Sequence, residues 1–237
     1  CAKCGVPAGV FNLYTDRKPK TMIDLANDTR LKGVVATGMG QVMEDMMFLM
    51  VDDELSFVNE IKGMNPIVVY RPSDVRKAAE DAVDSAFRYM GQGVFSTSKV
   101  IVTIEDQKRF MDAVMEKVNN LRVTDPAEQD AFCGPLISFE MGKRYTRYLE
   151  EKMPFVMCGG GRITGEYTDN GAYYRPAIVT GFTDEDDESF MDAGFPTLYI
   201  KIVADLEEAM EELSCTECGL SVGVYSKDTR LVDRVQA

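Results

Sequence analysis

The alternation of strand-like and helix-like segments constrains the fold of this chain most. Short apolar, β-branched runs at residues 33–37, 66–70 and 99–105 are separated by longer segments whose apolar residues recur at helical spacing. In one of these segments, residues 74–90, small and apolar side chains repeat along one helix face. Alternating strands and helices of these lengths build a largely parallel sheet. The pattern therefore predicts an α/β fold around a parallel sheet.

The remaining segments continue this alternation to the end of the chain. Further helices are predicted at residues 21–27, 41–50, 107–119, 138–152 and 205–213, and further strands at residues 55–59, 154–157, 173–180, 198–203 and 220–225. No internal repeat and no low-complexity linker interrupts them. With 237 residues and 45% hydrophobic content, the chain is long enough for one large domain or for one domain and part of another.

Charge and residue usage argue against several classes of function. Histidine is absent, so this chain holds no imidazole metal ligand and no serine–histidine or cysteine–histidine nucleophile pair. The net charge of -13 repels phosphate backbones, which argues against nucleic acid as a partner. No apolar run reaches the roughly 20 residues of a spanning helix, so no membrane association is expected. A soluble, cytoplasmic location is the expectation.

The six cysteines allow two interpretations. The pairs Cys1-x-x-Cys4 and Cys215-x-x-Cys218 could together form a four-thiolate zinc site. Nearly the whole chain separates them, and reduced cysteines that act as small apolar residues are the favoured interpretation. No metal site is therefore expected. Cys133, at the edge of a loop, has no evident activating base.

A series of short motifs resembles the aldehyde dehydrogenase superfamily in order and spacing. They lie at residues 5–12, 37–40, 60–66, 91–99, 121–126, 134–138, 176–179 and 217–221. No single motif is specific, but their ordered sum covers almost all of the chain. The resemblance implies an aldehyde dehydrogenase-like α/β fold, with residues 1–62 as the C-terminal part of a Rossmann-like dinucleotide-binding domain and residues 63–237 as the catalytic domain.

The position of the nucleophile is occupied by a residue that cannot perform the reaction. In this family a cysteine stands two residues after the Gln of a Gly-Gln pair, and here that position is Val94. Aldehyde oxidation needs a nucleophile to make the adduct from which hydride leaves, and valine has no nucleophilic lone pair. The nearby Ser96 and Thr97 hydroxyls would need a base within hydrogen-bond reach. Glu60 matches the family's general base, which activates the water of hydrolysis.

The resemblance also places a cofactor site, with departures from the family pattern. Thr37, Gly38, Met39 and Val42 correspond to a strand-to-helix turn beside the pyrophosphate of NAD or NADP. Met39 replaces a residue that is usually serine, and Asp192 stands as a shorter carboxylate where the family has glutamate near the nicotinamide ribose. Several such departures favour natural divergence, although an engineered change at Val94 stays open. Two alternatives stay open: this site still binds NAD or NADP, or it has lost this ability.

The resemblance implies NAD(P)-dependent oxidation of an aldehyde to a carboxylic acid by ancestry, in a chain predicted to be inactive because of Val94. The alternative is a non-catalytic structural or regulatory subunit, and a dinucleotide-binding module is a third candidate. The expected partners are a small-molecule aldehyde, if the protein is active, and copies of itself or of a relative in a dimer or tetramer. A start at Cys1 and a helical end at residues 235–237 predict part of a longer protein.

Overall fold

The computed structural model describes residues 2–16, 18–38, 56–61, 63–181, 194–215 and 220–236. The chain divides into two compact units, Cys1–Asn59 and Glu60–Ala237. This division falls three residues before the boundary expected after residue 62. The assignment of the units to a cofactor domain and a catalytic domain stays a prediction.

The first unit contains helix α1 and strand β1. Helix α1 spans Pro19–Ala26, and strand β1 spans Gly33–Gly38, close to the bounds predicted for both. Strand β2, Ser56–Ile61, pairs with β1 in a two-stranded sheet and runs across the division between the units. The helix predicted at residues 41–50 lies outside the described residues.

The second unit is built on a six-stranded sheet in the order β5-β6-β7-β4-β3-β8. Its strands are β3 (Ile67–Tyr70), β4 (Lys99–Thr103), β5 (Val156–Gly159), β6 (Ala177–Thr180), β7 (Thr197–Val203) and β8 (Gly223–Ser226). All neighbouring strands run parallel except β5, which is antiparallel to β6 at one edge. The predicted α/β fold with a parallel-rich sheet is confirmed.

In the described residues of this unit, five helices accompany the sheet, and polar side chains mark where several of them begin. They are α2 (Val75–Phe87), α3 (Ile104–Asn119), α4 (Phe139–Glu151), α5 (Leu206–Ser214) and α6 (Thr229–Gln236). The Asp74 carboxylate accepts the Lys77 N–H, and the Ser138 hydroxyl accepts the Met141 N–H, so each satisfies a donor of the first turn. The helix starts predicted from these two caps are therefore correct.

Several strand boundaries differ from the predictions, and two of them have an evident cause. Strand β4 ends at Thr103 rather than at residue 105, because α3 begins at Ile104 and places two carboxylates in its first turn, where the helix dipole favours negative charge. Strand β6 begins at Ala177 rather than at residue 173. Ala172 and Tyr174 form only isolated bridges to Leu136 and Arg162. Pro176 follows them, and it has no N–H to donate to a ladder.

The main core lies between the central strands and helices α2 and α3. The side chains of Val69 and Val102 on the sheet and of Ala79, Ala82 and Val83 on α2 are fully buried in one cluster. Strands covered on both faces read as continuous apolar runs, which explains why β3 and β4 could be recognised in the sequence. This packing fixes the end of α2 and the start of β4, and the connection between them carries the predicted nucleophile position.

Candidate active site

The connection from α2 to β4 is an unusual turn. A short 3-10 segment, Arg88–Gly91, follows α2, and within it Tyr89, Met90 and Gly91 have φ angles of 58°, 57° and 67°. Left-handed backbone is strained for residues other than glycine, so two strained residues precede Gly91. At Gly91 a Cβ would overlap the carbonyl oxygen of Phe195, so no side chain fits there. Packing therefore requires the glycine of the Gly-Gln pair.

Gln92 fixes the next part of the turn. Its Nε2 donates to the Tyr89 carbonyl oxygen at 3.0 Å, and its Oε1 accepts the Ile137 N–H at 2.8 Å. A further backbone bond, from the Ser96 N–H to the Gly93 carbonyl at 3.0 Å, closes the turn around Val94. Both polar groups of the Gln92 side chain thus bond to backbone atoms. The Gln of the Gly-Gln pair therefore stabilises the turn.

Asn65 ties this turn to two other segments. Its side chain is buried, and its Nδ2 donates to the carbonyl oxygens of Val94 at 2.8 Å, Ser96 at 3.2 Å and Gly63 at 3.0 Å. Its Oδ1 accepts the Ser221 N–H at 3.1 Å and the Ser221 hydroxyl at 3.0 Å. Asn65 therefore joins the backbone after Glu60, the Val94 turn and the loop before β8. Sequence reasoning did not identify this role.

Val94 lies half-buried at this turn and lines a cleft of about 310 Å³. The lining residues are Asp84, Ser85, Arg88, Tyr89, Gly93, Val94, Phe95 and Ser96. Of the two nearby hydroxyls named from the sequence, that of Thr97 is buried, and its Oγ1 lies 2.8 Å from Ser85 Oγ. A hydroxyl bonded to another hydroxyl is not activated for attack, because neither partner is a base at neutral pH.

The other predicted site residues are distributed between the two units. Glu60 is half-buried near the end of β2, and Thr37 and Gly38 are the last two residues of β1. The remaining predicted cofactor residues, Met39, Val42 and Asp192, lie outside the described residues. The structure thus connects the segment that follows Glu60 to the Val94 turn through Asn65, and the predicted cofactor contacts stay a prediction.

The thiols of two described cysteines, Cys133 and Cys158, have raised pKa values. Cys133 is buried, and burial raises the pKa of its thiol to about 12. Cys158 is half-buried, and burial raises the pKa of its thiol as well. Because the thiolate is the nucleophile, both are poor substitutes for a cysteine at the turn. The expectation that Cys133 has no activating base stays a prediction.

The lysine that ends the turn motif is buried in an ion pair. Lys99 Nζ pairs with a carboxylate oxygen of Glu212 on α5, and Lys201 Nζ lies 3.3 Å from the other oxygen. The side chain of Lys99 is only 2% exposed. A buried charge is costly unless it is paired, so this contact anchors the start of β4 against α5. No local sequence pattern indicates this partner, which is more than a hundred residues away.

Two absences concern only the described part of the chain. Within it, no helix is both long and apolar enough to span a membrane. The same residues contain no group of three or more cysteine, aspartate or glutamate side chains arranged to hold a metal ion. Cys4 and Cys215 are exposed free thiols, and Cys1 and Cys218, the other members of the less favoured zinc arrangement, lie outside the described ranges.

Comparison with known proteins identifies the family. The whole chain, residues 1–237, matches the aldehyde dehydrogenase family. It is 27% identical over 229 residues to the alpha-ketoglutaric semialdehyde dehydrogenase of Bacillus subtilis (strain 168), covering 95% of this chain and 47% of that protein. It is 25% identical over 238 residues to the chloroplastic betaine aldehyde dehydrogenase of Atriplex hortensis, covering 99% and 47%. The chain spans about half the length of these relatives.

Solved structures share the same fold. A variant of Thermus thermophilus 1-pyrroline-5-carboxylate dehydrogenase superposes with a TM-score of 0.88 at 25% identity, covering 99% of this chain and 46% of that one. A betaine aldehyde dehydrogenase from Staphylococcus aureus, solved with NAD+, superposes with a TM-score of 0.83 at 19% identity, covering 91% and 43%. With the family match over all residues, these likenesses lead to one conclusion: the chain belongs to the aldehyde dehydrogenase family.

Proposed function

We propose that this chain is the catalytic domain and part of the cofactor domain of an NAD(P)-dependent aldehyde dehydrogenase that has lost its covalent step. The observation that carries the proposal is Val94, which stands in a turn still held by Asn65, Gly91 and Gln92. A valine has no lone pair or acidic proton, so no bond to an aldehyde carbon forms there. The turn keeps its supporting contacts, but its side chain at position 94 has no atom that can react with an aldehyde.

The roles of the other residues follow from the reaction of the family. A thiolate at position 94 would add to the carbonyl carbon, and the bound nicotinamide would accept the hydride. Glu60 would take a proton from the water that releases the acid. Thr37 and Gly38 fit a nucleotide site in one respect, because they end a strand, and nucleotides bind at the carboxyl ends of strands in α/β folds. We propose NAD or NADP as the cofactor on this basis.

The second candidate is a non-catalytic subunit of a larger assembly. It is favoured by the same observation, since a scaffold that stays intact after its reactive residue is lost suits a structural role. We propose a dimer or tetramer, with copies of the chain or with an active relative, as the form in which this role would be exercised. Native mass spectrometry of the protein alone and mixed with such a relative tests it, and a mass that stays monomeric in both would count against it.

NAD(P)H formation tests the leading proposal. The full-length protein is assayed with a panel of aldehydes and both cofactors, as wild type, as Val94→Cys and as Val94→Cys combined with Glu60→Gln. Val94→Ala is the control, because it changes the size of the side chain without adding a thiol. We expect wild type and Val94→Ala to be silent and Val94→Cys to form NAD(P)H, with the added Glu60→Gln slowing turnover by about 10²-fold or more. Turnover by wild type would contradict the proposal.

If the folded Val94→Cys protein is also silent, the covalent step is not the only function lost, and the subunit candidate is favoured. A direct cofactor titration separates these outcomes. Saturable NAD(P)H fluorescence in the silent variant would place the defect after cofactor binding, whereas no saturation would place it in the cofactor site.

A further inference from the structure

A second cleft, of about 330 Å³, adjoins the Val94 turn and shares Arg88 and Tyr89 with the cleft at Val94. Its described lining consists of Arg88, Tyr89, Met90, Gln92, Pro126, Ala131, Phe132, Cys133, Gly134 and Pro135. Four of these residues belong to the turn region itself: Arg88, Tyr89, Met90 and Gln92. The volume is at the lower end of the range for small-molecule sites, so a small ligand is the appropriate size.

The walls of this cleft are held in place by backbone contacts. Cys133 forms an isolated bridge with Val123, and its carbonyl accepts the Thr124 N–H at 3.2 Å. A Cβ on Gly134 would lie 2.5 Å from Pro126 Cγ, so the two segments touch at that point. Gln92, bonded to the Ile137 N–H, joins this loop to the turn. A preformed wall loses little freedom when a ligand binds, which favours affinity.

The charge within the described lining comes from one residue. Arg88 is the single ionised side chain there, since burial raises the pKa of the Cys133 thiol to about 12 and keeps it neutral. Phe132, Met90, Pro126 and Pro135 give part of the lining an apolar and aromatic character, and Tyr89 and Gln92 add polar surface. One cation beside an apolar wall is matched by a ligand with one negative charge and an apolar body. A dianionic phosphate would leave a charge without a partner there.

The Arg88 guanidinium is positioned without using its hydrogen-bond donors. Its Cζ lies 5.8 Å from the centroid of the Phe132 ring, within the range of a cation–π contact. Its ion pair with Asp84 is long, at 4.0 Å, and Asp84 has a closer partner in Lys117 Nζ at 3.0 Å. Among the described residues, no hydrogen bond involves the Arg88 side chain. The planar guanidinium group, a fork of N–H donors, is therefore available to bind a carboxylate through two parallel hydrogen bonds.

We propose that this cleft binds a small monocarboxylate with an apolar or aromatic body, and that Arg88 receives its carboxylate. The apolar body lies against Phe132 and the two prolines. This site needs neither a nucleophile nor a cofactor, so it does not rest on the function proposed above. It gives the chain a ligand-binding activity that survives the loss of the thiol.

Calorimetric titration of the full chain tests this site with a matched pair of ligands. Phenylacetate carries the carboxylate, and phenylacetamide has nearly the same shape without the charge. The protein is used as wild type, as Arg88→Gln, which removes the charge, and as Arg88→Lys, which keeps the charge but not the fork. Arg109→Gln is the control, because Arg109 is an exposed arginine on α3 outside the cleft. Arg88 is itself largely exposed, so its replacement leaves the fold intact.

We expect saturable binding of phenylacetate, with phenylacetamide about tenfold weaker or worse. Arg88→Gln is expected to weaken phenylacetate binding by a similar factor and to leave phenylacetamide unchanged, whereas Arg109→Gln changes neither. Arg88→Lys is expected to fall between wild type and Arg88→Gln. Equal affinity for the acid and the amide, equal affinity in wild type and Arg88→Gln, or no saturation with phenylacetate up to roughly 10 mM would each overturn the proposal.

Discussion

The turn that carries Val94 and the loop that carries Cys133 border the same cleft and differ in what a nucleophile requires. The turn keeps a position held by Asn65 and Gln92 but carries a side chain without a reactive atom. The loop carries a thiol, but burial raises its pKa to about 12 and removes the thiolate at neutral pH. A reactive cysteine therefore requires both a thiol and surroundings that keep the pKa of this thiol low. The turn lacks the thiol, and the loop lacks such surroundings.

The backbones of the two regions differ as well. The turn contains left-handed residues, including Tyr89 and Met90, while the loop is held by ordinary backbone bonds around Cys133. Backbone strain persists where the surroundings impose it, and it occurs preferentially at functional sites. The turn thus has a strained backbone, although the Val94 side chain has no nucleophilic atom. The predictions that follow test how firmly this geometry is held and how inert the neighbouring thiol is.

The largest effect is expected at the closest contact of the turn. Gly91→Ala would place a Cβ against the Phe195 carbonyl oxygen at a residue whose φ is 67°. We expect the free energy of unfolding to fall by about 4 kcal/mol, since overlap with backbone adds to left-handed strain. Denaturant unfolding followed by circular dichroism measures this change.

Gly161→Ala is the matched control for that substitution. Gly161 has a φ of 84°, but a Cβ there would meet nothing within 4 Å. It therefore isolates the cost of the backbone conformation, expected to be about 1 kcal/mol. If the two variants lose the same stability, the contact with Phe195 does not define the turn and the contrast with the Cys133 loop weakens.

Asn65→Ala is expected to have the next largest effect. The change would leave the carbonyls of Gly63, Val94 and Ser96 without their Asn65 donor and would remove the acceptor of Ser221. Unsatisfied buried groups cost about 1–3 kcal/mol each, and partial relaxation gives an expected loss of about 3 kcal/mol. Unfolding of the full chain in denaturant gives the value.

Asn120→Ala serves as the control, because Asn120 is exposed and bonds only locally to the Glu116 carbonyl. A change within about 0.5–1 kcal/mol is expected there. Equal losses in the two variants would show that Asn65 does not hold the turn together.

Sequence reasoning reached the fold and the position of the turn, but not what supports it. Strands β3 and β4 were recognisable because burial on both faces leaves continuous apolar runs. The assignment of Val94 to the nucleophile position, made from its spacing after Gln92, stays a prediction. The roles of Asn65 and Lys99 depend on partners far away in the chain, at Ser221 and Glu212, and local patterns do not encode such contacts. The sequence around a lysine at the start of a strand does not indicate that its side chain is only 2% exposed.

Stability at alkaline pH is expected to report the Cys133 environment. The folded-state pKa of about 12 lies above the ordinary thiol value of about 8.5, so the buried thiol stabilises the fold fully below about pH 8.5 and progressively less as pH rises toward 12. Its contribution falls by at most about 1.4 kcal/mol per pH unit. Burial also raises the pKa values of Tyr145 and Tyr148, and the ordinary tyrosine pKa is about 10, so the thiols dominate the decline in the window from about pH 8 to 9.

The measurement is the free energy of unfolding at several pH values in this window. Cys133→Ala should flatten the decline, with a smaller slope left from Cys158, whereas Cys4→Ala at an exposed position should not change it. An unchanged slope in Cys133→Ala would mean that this thiol ionises as easily in the folded protein as in the unfolded chain.

The most direct test compares the two regions in one molecule. In the Val94→Cys variant, alkylation by iodoacetamide at neutral pH is followed with time by peptide mass mapping, with exposed Cys4 as the reference. The thiol at position 94 is predicted to react at least about a hundredfold faster than Cys133, because a pKa of about 12 leaves about a thousandfold less thiolate than an ordinary value. Alkylation of Cys133 at the same rate as position 94, or faster, would contradict this account.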